Sequence, residues 1–252
     1  MVVHDMIPEL FPQYFSKDDF QIIKKKKLCQ LASHIRVPSE NTKKDLINIL
    51  NVDPEKITVT PWGVTQMMFS NIKRFDFPYL LYIGARWNYK NFGAFLNQFA
   101  ILSKTYQDIH LICTGSAFDD SEKALIGQLK LSEKVHHFAP NNEEFGDLYK
   151  NAMAFVYPSE YEGFGLPILE AFSCGCPVML NNTSCFPEVA GDAAIYFEMK
   201  DGKSNFYEKF EYLYQMSQED RTDLINKGYD RLKLYSWETT AKKMEEIYNR
   251  IG

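Results

Sequence analysis

From Pro78 onward, short apolar runs alternate with longer segments whose apolar residues recur every three or four positions. YLLYIG (79–84) precedes NFGAFLNQFAILSKTY, IHLICTG (109–115) precedes DSEKALIGQLK, MAFVYP (153–158) precedes LPILEAF, and PVML precedes FPEVAG; AIYF then leads into a polar helical tail. Short buried strands joined by amphipathic helices are the mark of βαβ units, so the pattern predicts an α/β domain with a parallel sheet covered on both faces. Such sheets bind ligands beyond the carboxyl ends of their strands, where Gly84, Gly115 and the loop at Ser159 fall.

Before Pro78 the rhythm is abbreviated. Residues 17–32 read as a helix, HIRVP (34–38) as a short strand, Ser39 as the N-cap of a helix through Leu50, and KITVTPWGV as a strand after a turn at Asp53-Pro54. About two βα units precede Gly63, and residues 65–77, which lack periodicity, read as a linker.

Composition narrows the function classes. The 252 residues are 45% apolar, ample for a core, and a net charge of -5 argues against a general nucleic-acid binder. No apolar run approaches the length of a membrane span, and MVVHDMIPEL lacks the basic start and apolar stretch of a signal peptide, so a cytoplasmic location is expected. Five cysteines without a repeated C-x-x-C pattern read as reduced thiols, with Cys174 and Cys176 favoured as core fillers over metal ligands. Lys24 to Lys27 interrupt a helix with apolar residues at Ile22, Ile23, Leu28 and Leu31. A solvated face is the favoured reading there, and a basic face resting on anionic lipid the alternative.

The segment SEYEGFGLPILEAFSCGCPVML (159–180) concentrates the candidate chemistry. Gly163 and Gly165 remove side chains on either side of Phe164, so that a ligand can approach the backbone, and Pro167 is placed to open a helix whose N-terminal dipole suits a phosphate or sugar oxygens. Glu170, one turn into that helix, can accept hydrogen bonds from a vicinal diol, and Glu162 faces whatever lies beyond the phosphates. Taken alone, the glycines and glutamates would serve equally as a turn with solvated carboxylates.

The full string resembles the E-x7-E signature of the retaining, GT-B-fold glycosyltransferases of family 4, or group 1. The similarity extends to YPS (157–159), CGCPV and PEVAGDAA (187–194), and runs from HDMIPE to the terminal SWETTAKKMEEIY. It implies one complete Rossmann-like C-terminal domain (71–234) that binds a nucleotide sugar, a partial N-terminal lobe and linker on the acceptor side (1–70), and a C-terminal helix (235–252) crossing back toward that lobe. It gives Glu170 the ribose hydroxyls, Glu162 the donor sugar, and Gly163, Phe164, Gly165 and Leu166 the sugar hydroxyls and diphosphate. In IGARWNYKN it makes Arg86 and Lys90 a diphosphate clamp, one residue more closely spaced than in many relatives, and it brings His4 near the donor sugar and acceptor.

The resemblance further implies hexose transfer from a GDP- or UDP-sugar to a glycan or glycolipid acceptor, with no metal or other cofactor, no nucleic-acid partner, and peripheral contact with the inner face of a membrane. The strand-rich first part of the N-terminal lobe has no counterpart in the sequence. Self-association or a partner covering the incomplete lobe is therefore expected, and a binding-only half that is inactive alone is the main alternative. A GT-B-type phosphorylase or sugar-nucleotide epimerase is disfavoured, since no pyridoxal-lysine segment accompanies the E-x7-E string.

Overall fold

The computed structural model describes residues 1–16, 20–200 and 202–251. In the N-terminal region these form α1 (Ile7–Leu10), α2 (Phe20–Leu31), β1 (Ile35–Val37), α3 (Glu40–Leu50) and β2 (Ile57–Val59). The larger domain runs β3 (Tyr79–Tyr82), α4 (Phe92–Thr105), β4 (His110–Cys113), α5 (Asp120–Gln128), β5 (Val135–His137), α6 (Asn142–Asn151), β6 (Ala154–Tyr157), α7 (Leu166–Ser173), β7 (Val178–Asn181), α8 (Phe186–Ala190) and β8 (Ile195–Phe197). A two-residue hairpin pair, β9 (Met199–Lys200) and β10 (Lys203–Ser204), precedes α9 (Phe206–Gln215), α10 (Gln218–Leu232) and α11 (Trp237–Ile251).

Six parallel strands make one sheet in the order β5-β4-β3-β6-β7-β8. The chain winds outward from β3 to β5, returns to place β6 beside β3, and winds outward again, so the strand order reverses between β3 and β6. That reversal opens a crevice at their carboxyl ends. Strand alternation sends Tyr79 and Leu81 of β3 into one core with α6, α7 and α8, while Leu80 and Tyr82 enter a second core with α4, α5 and α9. Both faces are therefore dry, as a parallel sheet requires.

The apolar pattern locates β3, β4, β6, β7 and β8, but it omits β5, whose VHH interrupts the apolar run with two histidines. His136 on that strand is satisfied by a neighbour: its Nε2 lies 2.8 Å from His110 Nδ1 on β4, and both rings stack on Phe77. Burial pushes both imidazoles below the ordinary histidine range.

The N-terminal region is thinner. Parallel β1 and β2 form a separate two-stranded sheet, extended by a bridge from Val2 to Arg36, over a small core of Val3, Met6, Ile35, Val37, Leu46 and Ile57. Ser39 caps α3 by accepting the Thr42 N–H at 3.0 Å, as its position before an amphipathic run predicts. The strand expected over KITVTPWGV shortens to Ile57–Val59, followed by one more ladder bond from Thr60 N–H to the Val37 carbonyl at 2.8 Å. The helix expected over 17–32 is seen as Phe20–Leu31, its first positions lying outside the described residues. Within the lysine run, Lys25 turns inward to Glu9 at 2.8 Å and to the Asp5 carbonyl at 3.1 Å.

Residues 65–77, expected as a linker, are irregular but strapped down. Asp147 of α6, fully buried, accepts the N–H groups of Ser70 (2.8 Å) and Ile72 (3.3 Å), and Arg74 pairs with Glu144 at 2.9 Å. Gly146 is required for this approach, because a Cβ there would sit 1.9 Å from the Met68 carbonyl oxygen. Helix α11 returns to the N-terminal region, where Thr240 Oγ1 donates to the Pro61 carbonyl at 2.8 Å and Trp237 Nε1 to Thr65 Oγ1 at 3.2 Å. Among the described residues no helix is long and apolar enough to cross a membrane.

Candidate active site

The crevice between β3 and β6 gathers most of the residues singled out above. A short 3-10 turn (Asn88–Lys90) after β3 carries Lys90, and the loop after β6 carries Glu162; the two meet at 2.7 Å. Glu162 is only 7% exposed, and Lys90 Nζ also lies 5.9 Å over the Tyr157 ring. Burial first, and then the Glu162 charge, pushes the Tyr157 hydroxyl well above its ordinary range, so it stays a donor. Below the loop, the Glu162 N–H donates to Ser184 Oγ at 3.1 Å and its carbonyl accepts from Cys185 Sγ at 3.2 Å. A lysine and a rigidly held carboxylate thus meet beside Tyr157 at the sheet's carboxyl edge.

Glu170 stands apart, on a second wall. Helix α7 begins at Leu166 after Gly165 in a left-handed conformation (φ 92°), with Pro167 as its second residue instead of its first. One turn on, Glu170 Oε2 accepts from Tyr149 at 2.9 Å, and burial pushes its carboxyl above the ordinary range against that hydrogen bond. The carboxylate borders a cleft of about 580 Å³ lined by Met67, Met68, Ile83, Phe145 and Pro167. Ile83 immediately follows β3, so the cleft lies along the same strand end as the Arg86–Lys90 turn. An apolar slot with a carboxylate on its rim can hold a flat ring and a diol together.

Four of the expected site residues have protein partners of their own. Arg86 is only 8% exposed and faces inward: Nε donates to Glu122 at 2.8 Å, Nη1 to the Thr114 carbonyl at 2.9 Å, and Nη2 to the Ser116 and Ala117 carbonyls at 2.5 and 3.2 Å. A guanidinium is the side chain that can tie two loops together in this way, and here its donors join the turn after β3 to the loop after β4 and to Glu122 of α5. Gly163 admits protein where a ligand was expected. A Cβ on it would lie 2.2 Å from the His4 carbonyl oxygen, and its own carbonyl accepts from Ser39 Oγ at 2.7 Å. Phe164 is buried edge-on against Tyr235, so any donor contact from it is through backbone alone, whereas Leu166 is exposed. The His4 ring stacks on Trp62 at 5.5 Å, leaving its backbone beside the Gly163 loop.

Other contributors were not legible in the linear pattern. Tyr149, Phe145, Tyr157 and Met67–Met68 reach the two walls from α6, β6 and the strapped segment, and only the amphipathic period of residues 142–151 could have announced the first two. A latch also joins the N-terminal region to the site. Glu188 of α8 accepts the N–H groups of Glu40 (2.8 Å) and Asn41 (3.2 Å) at the start of α3, where a negative charge complements the helix dipole. Asn41 and Asp45 both bond the hydroxyl of Tyr161, next to Glu162 in the chain.

Known proteins share this fold and the segment that carries the site. Residues 64–231 match the family model described as Glycosyl transferases group 1. The chain is 31% identical over 207 residues to the O-antigen chain mannosyltransferase RfbU of Salmonella typhimurium, covering 81% of this chain and 58% of that protein. It is 28% identical to O-antigen chain mannosyltransferase B of Escherichia coli, covering 98% of this chain and 69% of that one. Among solved structures, sucrose-phosphate synthase from Thermosynechococcus elongatus superimposes with a TM-score of 0.80 at 19% identity (99% of this chain, 67% of that one). Anabaena HepE, solved with UDP and glucose, superimposes with 0.79 at 17% (99% and 71%). The structural neighbours share the GT-B glycosyltransferase fold, and the chain spans 58% to 71% of the length of these relatives. By the family match over two thirds of its length, with the E-x7-E loop inside it, the chain belongs to the group 1 glycosyltransferases.

Proposed function

We propose that this chain binds a nucleotide-diphosphate sugar in the β3–β6 crevice and serves the transfer of a hexose, mannose by analogy with the named relatives, to a glycan or glycolipid acceptor with retention of configuration. The observation that carries the reading is the pairing of two sites on one strand end: an apolar cleft rimmed by Glu170, and the Lys90–Glu162 pair beyond it. In this reading the base lies on Met67, Ile83 and Phe145, and Glu170 accepts the ribose hydroxyls. Lys90 exchanges its bond to Glu162 for the departing diphosphate, where fixed positive charge lowers the energy of charge separation. Glu162, released from Lys90, accepts from hydroxyls of the donor sugar. Arg86 acts through the loops it ties, as a positioning residue. As the bond from the anomeric carbon to the diphosphate breaks, an acceptor hydroxyl bonds to that carbon and gives up its proton.

Calorimetric titration with UDP, GDP and their mannose and glucose conjugates, paired with a donor-hydrolysis assay, tests the reading. Nucleotide binding that weakens at least tenfold in Glu170→Ala supports it; absence of binding to every nucleotide in the panel overturns it. One observation favours a binding-only role: the N-terminal region opposes the six-stranded domain with a two-stranded sheet. Tight nucleotide binding without turnover would select that role.

A further inference from the structure

The turn that carries Lys90 also carries an aromatic surface. Trp87 is 54% exposed, although Arg86 and Tyr89 on either side of it are buried. Its indole meets Tyr89 edge-on at 6.1 Å, Tyr89 stacks on Phe11 at 5.8 Å, and Phe11 stacks on Tyr14 at 6.2 Å, with Tyr14 itself 40% exposed. Rings from the N-terminal segment and from the β3 turn therefore make one aromatic shelf, exposed at its two ends, Trp87 and Tyr14, over a buried middle, and Lys90 Nζ lies 5.1 Å over the Tyr89 ring. At the Tyr89 carbonyl the lining changes character. That oxygen accepts the Glu160 N–H at 2.8 Å, and Glu160 belongs to a groove of about 330 Å³ lined also by Asn91, Asn97, Gln98 and Lys200.

We propose that this shelf and groove bind the sugar chain of the acceptor, with a pyranose stacked on Trp87 and the hydroxyls of further residues held by the groove. A pyranose ring has an apolar C–H face edged by hydroxyls, so it fits an exposed indole whose turn is bonded, through the Tyr89 carbonyl, to a groove of amides and a carboxylate. An acyl chain has no hydroxyls to offer the amides and carboxylate of the groove, which disfavours it. Continuity with Lys90 through Tyr89 places the stacked sugar beside the reacting centre. The inference rests on the transferase reading and adds to it which surface receives the acceptor.

The test is saturation-transfer NMR on the 252-residue chain with α-linked mannobiose and mannotetraose, without nucleotide. Both sugars are expected to receive magnetisation, the tetrasaccharide more strongly. Trp87→Ala should weaken the effect roughly fivefold with an unchanged melting curve, Trp87→Phe should retain most of it, and Asn97→Ala should weaken only the tetrasaccharide. No transfer to either sugar from the parent protein, or equal transfer from Trp87→Ala, overturns the proposal. So does a Trp87→Ala variant that keeps its sugar contacts but loses co-sedimentation with phosphatidylglycerol vesicles. The same variants titrated with nucleotide separate the two readings: sugar contact without nucleotide binding removes the proposed function and leaves the shelf, whereas the converse removes the shelf alone.

Discussion

The N-terminal region and the larger domain are built from similar βα pieces, yet they hold their functional residues by different means. In the larger domain, six strands are buried on both faces, and Lys90, Glu162 and Glu170 stand at the edge of two cores. In the N-terminal region, two strands cover a small core while Met1, Val2, Ile23, Leu28 and Leu31 remain exposed. What aligns that region with the site is a few hydrogen bonds, Ser39 to the Gly163 carbonyl and Glu188 to the start of α3, and one small apolar contact of Ile7 and Phe11 with Tyr89 and Tyr161. A site supported by buried apolar area should survive changes that release a wall held by a few hydrogen bonds.

The largest expected effect is on the domain that looks most robust. Arg86→Met leaves Glu122 and three carbonyls without their shared donor, and removing one member of a buried pair costs on the order of 3 kcal/mol. The thermal midpoint should fall by several degrees, and nucleotide binding should weaken with it as the loops after β3 and β4 loosen. A fully stable Arg86→Met variant that binds nucleoside normally but has lost the diphosphate would restore Arg86 to the clamp.

Next comes the division between the two walls. Glu170→Ala should weaken nucleoside, nucleoside diphosphate and nucleotide sugar alike by about 1.5 to 3 kcal/mol, the loss of a hydrogen bond to a charged acceptor. Glu162→Ala should weaken the nucleotide sugar while sparing the bare diphosphate, which gains an unpaired Lys90. The diol needs the Glu170 carboxylate, and burial raises its pKa, so affinity should be full at neutral pH and fall on acidification at a pH above the ordinary glutamate value near 4.5. Identical ligand profiles for the two alanine variants would erase the distinction between the walls.

A smaller effect isolates the N-terminal latch. Glu188→Ala removes two N–H acceptors at the start of α3, worth about 1 to 2 kcal/mol together, and it should lower hydrogen-exchange protection in α3 while leaving β3 and β6 unchanged. Protection lost equally in both regions would mean that they unfold as one unit.

The mildest is a pH effect confined to the larger domain. His110 and His136 have lowered pKa values in the folded state, so between those values and the unfolded value near 6.5 the unfolded chain binds more protons. Their contribution is complete above about pH 6.5 and is lost as the pH falls. The double variant His110→Gln/His136→Gln should flatten the acid side of the stability profile; an unchanged acid limb would assign the sensitivity elsewhere.

Periodicity was enough to place five of the six strands of the larger sheet and the helix that starts after Gly165, because a parallel strand buried on both faces reads as an unbroken apolar run. The E-x7-E string likewise marked Glu162 and Glu170 without any coordinates, since local spacing alone puts one on a loop and the other a turn into the helix. Partners were another matter. That Lys90 reaches Glu162 across 72 positions, that Arg86 turns from the cleft toward Glu122, and that Gly163 makes room for the His4 backbone all depend on which strand ends become neighbours when β6 returns beside β3. The burial, charge and shape of a site are properties of that juxtaposition, and an amino-acid sequence read along one dimension carries the residue types and their period but not the distances between distant segments.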